Sequence, residues 1–224
     1  MFFALLLGTA GCTSRMLLQT AHTVPPAGVR GALGVSSVHN ELSGERGEAG
    51  GAEIFSLSGE PSARVGLTSS LDIGAAPLLS KGGALDAKLN LIRPEAPFAL
   101  APRLRLGFAV PGDDRLFLAE AGVVVSHRLW TVLEPYAGLG FANHWITRPL
   151  TTADLEPNQS LAERSGAGDG LVKLHAGLSL GSQGGFAGLL EYGFWKTAQN
   201  DPGDGFRFVD NHVASLGFCY EGGH

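Results

Sequence analysis

The chain has few of the residues on which several common protein classes depend. Of its 224 residues, two are cysteine and two are methionine, and 17% are charged. Two cysteines make a weak case for a disulfide, and a net charge of −5 offers no basic surface for nucleic acid. No apolar run approaches the roughly 18 residues that a membrane-spanning helix requires. These shortages argue against a disulfide-rich domain, a nucleic-acid-binding protein and a helical membrane protein.

Signatures of catalysis and metal binding are missing as well. The histidines His127, His144, His175 and His212 fall on different predicted strands, without HxH or HExxH spacing. The sequence contains no GxSxG elbow and no phosphate-binding glycine loop. Its glycine-rich stretches fall in predicted turns. Cys219, near the end of the last predicted strand, is interpreted as an inert small residue. The sequence therefore predicts no catalytic residue, no metal site and no cofactor.

Glycine, in contrast, is abundant, with 33 residues, and apolar residues alternate with small or charged ones. The clearest case is the stretch from Arg115 to Trp145, in which a tight corner separates two alternating runs of about a dozen residues. One face of this hairpin is apolar, and the other carries Glu120, Arg128 and Glu134 beside glycine. Strands that are apolar outside and charged inside are typical of a transmembrane β-barrel.

The same alternation recurs along most of the chain. It predicts a closed antiparallel up-and-down β-barrel over residues 27–220, with ten strands, or eight as the alternative, and a tail at 221–224. The predicted strands are 28–38, 52–66, 71–76, 85–91, 98–108, 115–128, 133–145, 171–180, 186–195 and 206–220. Pro61 lacks the N–H that a strand needs, so a bulge or break is expected near residues 59–61.

The connections between predicted strands alternate between tight and long. Four are tight, and the segments 39–51, 147–169 and 198–205 are long, while residues 80–83 and 111–114 are short but fall in the series of long loops. Short turns on the periplasmic side and long loops outside are typical of outer-membrane barrels. With an even number of strands, both termini lie at the end of the short turns and are expected on the periplasmic side. The corner Gly66-Leu67-Thr68 through Asp72 to Gly74 is similar to turns of bacterial outer-membrane barrels.

The alternation also predicts which charged side chains enter the lumen. They are Arg30, Glu60, Arg64, Asp72, Asp86, Lys88, Arg103, Arg105, Glu120, Arg128, Glu134, Lys173, His175 and Glu191. Charges inside a narrow barrel must find partners, so this nearly neutral set predicts an ion-pair network that fills the lumen. The alternatives are a passage for a small polar solute and an active site.

Aromatic residues are predicted on the outward face, mostly near strand ends, where they would form interfacial girdles. They are Phe98, Phe108, Phe117, Phe141, Trp145, Tyr192, Phe194 and Tyr220. The alternative interpretation is that they are scattered core aromatics of a soluble fold.

The N-terminus reads as an export signal. Residues 1–11 form a short apolar run that ends in small residues, and Thr9-Ala10-Gly11-Cys12 resembles the lipobox of bacterial lipoproteins. The resemblance implies that Cys12 is acylated and becomes the mature N-terminus. Residues 12–26 have no periodicity and end in Pro25-Pro26, which predicts an extended tether to the barrel rim. A plain exported protein and a buried N-terminal segment are the alternatives.

Over residues 27–220, the alternation of apolar and polar residues resembles that of the small outer-membrane barrels of Gram-negative bacteria, some of which are porin-like. The resemblance implies a non-enzymatic protein whose partners are outer-membrane lipid and a small polar solute or surface ligand at the loops, with no nucleic acid. The main alternative is a soluble periplasmic barrel of lipocalin type, which inverts the faces so that Leu85, Ala87 and Leu89 point inward.

A second alternative is an outer-membrane barrel enzyme. Residues 191–220 resemble the last hairpin of outer-membrane lipid A deacylases, which carry a His-Ser nucleophile pair on the preceding strand. Here that place reads Glu191-Tyr192-Gly193. The resemblance therefore implies a barrel hairpin without this activity.

Overall fold

A computed structural model describes residues 19–41, 56–78, 82–110, 115–130, 132–147, 169–181, 184–201 and 205–222. Ten strands occur in these residues: β1 Val29–Glu41, β2 Ser56–Gly66, β3 Leu71–Pro77, β4 Gly82–Leu89, β5 Phe98–Ala109, β6 Arg115–His127, β7 Leu133–Thr147, β8 Asp169–Gly181, β9 Phe186–Asp201 and β10 Gly205–Gly222. None of the described residues belongs to a helix long and apolar enough to cross a membrane.

The strands form a closed barrel. Each pairs antiparallel with its neighbours in sequence, and β1 pairs with β10 from Val29↔Gly222 to Glu41↔Asp210. Closure gives every strand two partners and leaves no sheet edge. The predicted up-and-down barrel of ten strands is confirmed.

Large apolar side chains point outward around the barrel. Leu85 is 70% exposed, Leu104 53% and Phe218 64%, whereas charged residues of the opposite parity, such as Lys88, are buried. The lipocalin-type alternative required Leu85 to face the lumen, and this orientation is wrong. The predicted assignment of outward and inward faces is therefore the observed one.

Aromatic residues mark both ends of the outward apolar belt. The tight connections at residues 67–70, 90–97, 128–132 and 182–185 define what we name the turn end, and the opposite end is the loop end. On β5, Phe98 lies at the turn end and Phe108 at the loop end, where its ring packs 5.0 Å from Phe117. Ten residues span about 33 Å along a strand, which a tilt of about 40° reduces to a height of about 25 Å. That height matches the apolar band of a transmembrane barrel, about 25 Å.

Trp130, in the turn after β6, was not among the predicted girdle aromatics. Its ring is 81% exposed, and its backbone has a φ of 60°, a region that bulky residues rarely adopt. Phe186 and Tyr220 pack against each other at the same end of the barrel, with ring centroids 4.8 Å apart. The turn end therefore carries the aromatic rings of Phe98, Trp130, Phe186 and Tyr220.

The predicted loop at 198–205 is wrong over most of its length. β9 continues to Asp201 and β10 begins at Gly205, so only residues 202–204 separate the two strands. The residues from Thr197 to Asp201 carry no alternating apolar side chains, so their pattern does not predict a strand. Their pairing is made by the backbone and continues to Gly205↔Asp201.

The bulge or break predicted near Pro61 does not occur in the β1–β2 pairing. The register runs without interruption through Gly34↔Glu60 and Leu33↔Pro61. The pairing of β2 with β3 stops at Ala63↔Ala75, and the same register, continued by two residues, would bring Pro61 opposite Pro77. Since neither proline has an N–H to donate, the two strands separate there instead of forming a bulge.

Candidate functional site: the barrel lumen

The interior of the barrel contains a continuous network of ion pairs. It begins at Lys88, whose Nζ lies 3.5 Å from a carboxylate oxygen of Asp72. Arg64 pairs with Asp72 through Nε and Nη2 and with Asp86 through Nη1, the latter at 2.5 Å. These four side chains come from β2, β3 and β4, and each acidic group lies between two bases. All of them point inward because they share one strand parity.

The network continues across β5, β6 and β8. Arg103 Nε lies 3.0 Å from Asp86, and Arg103 Nη1 lies 3.8 Å from Glu120. Lys173 Nζ donates to Glu120 over 2.8 Å and also lies 4.9 Å from the centroid of the Trp195 ring. Acids and bases therefore alternate without interruption from Lys88 to Lys173, which limits the cost of burying them.

Most of the predicted lumen residues are found inside. Buried in the lumen are Arg64, Asp72, Lys88, Arg103, Arg105, Glu120, Lys173, His175 and Glu191, and Asp86 is partly buried beside them. Arg30, Arg128 and Glu134 lie at the turn-end mouth. The side chain of Glu60 lies outside the described residues. The structure thus brings the predicted set together in two groups, one central and one at the mouth.

Two aromatic side chains lie over glycines inside the lumen. Tyr136 donates its hydroxyl proton to Glu191 over 3.1 Å, and a Cβ at Gly177 would lie 2.3 Å from the Tyr136 ring. His175 lies over Gly138 in the same way, with 2.2 Å to a Cβ built there. Glycine is therefore required at both positions, since any side chain would displace the ring above it.

A cluster of buried apolar side chains lies in the lumen near the loop end. Leu116 and Leu118 of β6 are 1% and 2% exposed and pack in one cluster with Leu78, Trp195 and Val213. These residues have the inward parity, so the charged network gives way to side chains that exclude water. Strand alternation predicts the inward direction of these side chains but not that they pack into one layer.

The N-terminal segment closes the turn end, which the predicted tether did not anticipate. Residues 20–22 and Val24 are buried, with Ala21 and Val24 fully inaccessible. Lys88 Nζ donates to the carbonyl oxygens of Thr20 and His22 over 2.9 and 2.7 Å. The tether prediction is therefore wrong for the described part of residues 12–26, whereas the alternatives given for residues 1–12 lie outside the described residues. We call residues 19–24 the lumen floor.

Further contacts hold the lumen floor mainly by its main chain. The N–H of Ala21 donates to Ser126 Oγ over 3.2 Å, and the N–H of Val24 donates to Asp72 Oδ2 over 3.0 Å. A side-chain contact is added where Arg64 Nη1 donates to Gln19 Oε1 over 2.8 Å. Main-chain recognition leaves no pattern of side chains, so the sequence carried no signal for these contacts.

His22 is the titratable residue of the lumen floor and lies outside the strands. Burial lowers the pKa of His22 to about 4, although the Glu134 carboxylate, 3.8 Å from Nε2, acts in the opposite direction. At neutral pH the imidazole is therefore uncharged. The floor accordingly adds no net positive charge beside Lys88 and Arg128.

A cavity of about 240 Å³ lies beside the lumen floor at the turn end. Its lining includes the ion pair of Arg30 with Glu221, in which Nε lies 2.9 Å from Oε2, and the pair of Arg128 with Glu134 at 3.9 Å. Glu221 was predicted as part of the tail. Its inward parity continues that of Ser215 and Cys219, so the alternation would have included it if the predicted last strand had been extended by one residue.

The described residues contain no cluster of three or more histidine, cysteine, aspartate or glutamate side chains suited to a metal ion. Cys219 is a free, buried thiol that lines the turn-end cavity. The predicted acylation site Cys12 lies outside the described residues. The lumen therefore contains an ion-pair network between the lumen floor at the turn end and the apolar layer at the loop end.

No family model and no curated protein matches the chain. Solved structures similar to it include the outer membrane protease OmpT from Escherichia coli, with 9% identity, coverage of 93% of this chain and 100% of that one, and a TM-score of 0.48. Neisserial surface protein A has 11% identity, coverages of 86% and 95%, and a TM-score of 0.40. Ail of Yersinia pestis has 10% identity, coverages of 88% and 99%, and a TM-score of 0.37.

Proposed function

We propose that this chain is a non-enzymatic bacterial outer-membrane β-barrel that is closed by its own N-terminal segment and serves a structural or surface-interaction role. The observation that carries the proposal is the outward apolar belt. It surrounds a closed barrel, has a height of about 25 Å between aromatic residues, and leaves the charged residues inside. In water such a belt would be a large aggregation-prone surface, whereas in a bilayer it is solvated by acyl chains.

The lumen favours a closed barrel over a solute channel. Ten strands give a diameter well below that of the 16- to 18-stranded barrels that hold an aqueous channel. The lumen floor obstructs the turn end, and the apolar layer around Leu116 and Leu118 obstructs the loop end. Between them, each described acid of the network contacts at least one base. A solute would have to break this network and pass two closures.

The orientation that we propose places the turn end and both termini in the periplasm. The two longest connections, residues 42–55 and 148–168, support it because both join strands at the loop end, where the other three connections are short. These long segments would present the surface available to ligands or partners. A lipid on Cys12 is compatible with this orientation, since the seven residues from Gln19 back to Cys12 can span up to about 25 Å between the turn end and the membrane surface.

Fractionation and conductance together test the proposal. The full-length protein should be recovered with outer membranes and should show heat-modifiable gel mobility, as a folded barrel does. Reconstituted in a planar bilayer, it should show no steady single-channel conductance. Recovery as a freely soluble periplasmic protein would refute the membrane assignment, and steady conductance would refute the closed lumen in favour of a narrow channel.

A further inference from the structure

The outward face of β9 and β10 carries a polar pair within the apolar belt. Tyr192 Oη and His212 Nδ1 lie 2.5 Å apart, and Tyr192 is 54% exposed. The Phe194 ring lies 5.3 Å from the His212 ring on the same face, where the register pairs His212 with Phe194. Lys196, the next outward residue of β9, is exposed as well. The four side chains form one patch, which we call the β9–β10 patch.

The β9–β10 patch lies near the loop end of the belt. Eight residues separate Phe194 from Phe186, which is at the turn end. They correspond to about 26 Å along the strand and about 20 Å in height at a tilt of about 40°. A belt of about 25 Å therefore places the patch where acyl chains meet lipid headgroups. Tyrosine is favoured at this depth because its ring is apolar and its hydroxyl is polar.

The second ring nitrogen of His212, Nε2, takes no part in the contact with Tyr192. When the Tyr192 hydroxyl donates to Nδ1, the neutral imidazole carries its proton on Nε2 and is a donor there. Within the described part of the chain, the hydrogen bond to Tyr192 is the one that His212 makes. An N–H at the edge of a bilayer needs an oxygen acceptor, because an unsatisfied polar group is costly in an apolar medium.

We propose that the β9–β10 patch binds the phosphate-bearing headgroup of an outer-leaflet lipid. In this arrangement, His212 Nε2–H donates to a phosphate oxygen, the Lys196 ammonium adds positive charge, and the rings of Tyr192 and Phe194 contact the adjoining acyl chain. A lipid headgroup is proposed rather than free phosphate, because the two aromatic rings beside the polar groups would contact an acyl chain, which free phosphate lacks. This inference rests on the proposed function, which sets the loop end in the outer leaflet.

The test is lipid retention by the full-length protein. The protein is reconstituted in phosphatidylcholine vesicles that contain lipid A, extracted in mild detergent, and analysed for lipid A bound per barrel. Wild type is expected to retain lipid A, His212→Phe to lose about tenfold or more of it, and Lys196→Gln to lose part, as befits a charge-assisted hydrogen bond. Leu216→Phe, on the same face of β10 and closer to the turn end, is the control and should retain lipid A as wild type does.

Equal retention of lipid A by wild type and His212→Phe would overturn the inference. It would mean that Tyr192 and His212 only satisfy each other's hydrogen bonds. Release of lipid A by inorganic phosphate would overturn it in favour of a soluble anion. Heat-modifiable mobility is measured on every sample. A barrel that inserts but does not retain lipid A contradicts this inference alone, whereas a protein that does not insert contradicts the proposed function.

Discussion

Lys88 of β4 binds the lumen floor from inside the barrel, with its Nζ 2.7 Å from the carbonyl oxygen of His22. The same ammonium donates to the carbonyl oxygen of Thr20 and lies beside Asp72, and Lys88 is fully buried. One side chain therefore connects the ion-pair network to the N-terminal segment. The stability of the barrel and the position of the floor are coupled through it.

Lys88→Met should destabilise the folded barrel strongly. It removes both hydrogen bonds to the floor and one partner of the buried Asp72, and breaking a buried pair costs about 3–5 kcal/mol. The measurement is urea unfolding of the full-length protein folded in detergent. Arg93→Met is the control, because Arg93 is exposed in a turn and should change the free energy of unfolding by less than about 0.5 kcal/mol. Equal midpoints for the two variants would contradict a central role for Lys88.

Glu120→Ala should also destabilise the barrel, by about 3–5 kcal/mol. It leaves Lys173 without its carboxylate partner at 2.8 Å and removes the nearby charge from Arg103. Glu95→Ala, in an exposed turn, is the matched control. The same unfolding assay applies, and wild-type stability of Glu120→Ala would show that the lumen charges are hydrated rather than paired.

Ala21→Arg should displace the lumen floor. Ala21 is fully buried in one cluster with Ala99, Ala101 and Cys219, which leaves no room for a long charged side chain. In a Cys12→Ala background, the remaining thiol of Cys219 should then react with a maleimide at least several-fold faster than in the parent protein. Ala27→Arg is the control, because Ala27 is exposed just outside the floor. Equal labelling rates in all three proteins would mean that the floor does not shield Cys219.

The stability of the barrel should depend on pH through His22. Its pKa is about 4 in the folded protein and about 6.5 when unfolded, so the unfolded chain binds the proton more tightly. The contribution of neutral His22 is therefore fully present above about pH 6.5 and decreases as the pH falls towards 4, by at most about 1.4 kcal/mol per pH unit. The difference between wild type and His22→Gln, measured by urea unfolding across this range, isolates the effect. A difference that does not change with pH would contradict it.

Strand alternation predicted the barrel and the contents of its lumen because side-chain direction has a period of two. A residue such as Glu120 or Lys173 is assigned to a face by parity alone, and both were assigned correctly. No such rule predicts which inward charged residues form ion pairs with each other across the lumen. The pairing of Arg103 with both Asp86 and Glu120 depends on side-chain length and on the barrel radius, which a single sequence does not specify.

The features that the sequence missed are those in which the main chain makes the contacts. The lumen floor is bound through the N–H of Ala21 and Val24 and through two carbonyl groups, so its aperiodic sequence resembled a tether. The extension of β9 to Asp201 is likewise made by backbone pairing. Trp130 was missed because it lies in a turn, outside any alternating run.

The central claim is that the outward belt faces lipid, and Leu104→Arg tests it most directly. Leu104 is 53% exposed and lies midway between Phe98 and Phe108 on β5, whereas Leu91, 59% exposed, lies at the turn end. For the protein folded in lipid vesicles, Leu104→Arg should lower the free energy of unfolding by about 2–4 kcal/mol and Leu91→Arg by about 0–1 kcal/mol. If both variants instead unfold within about 0.5 kcal/mol of wild type, the belt faces water and the membrane-spanning account is contradicted.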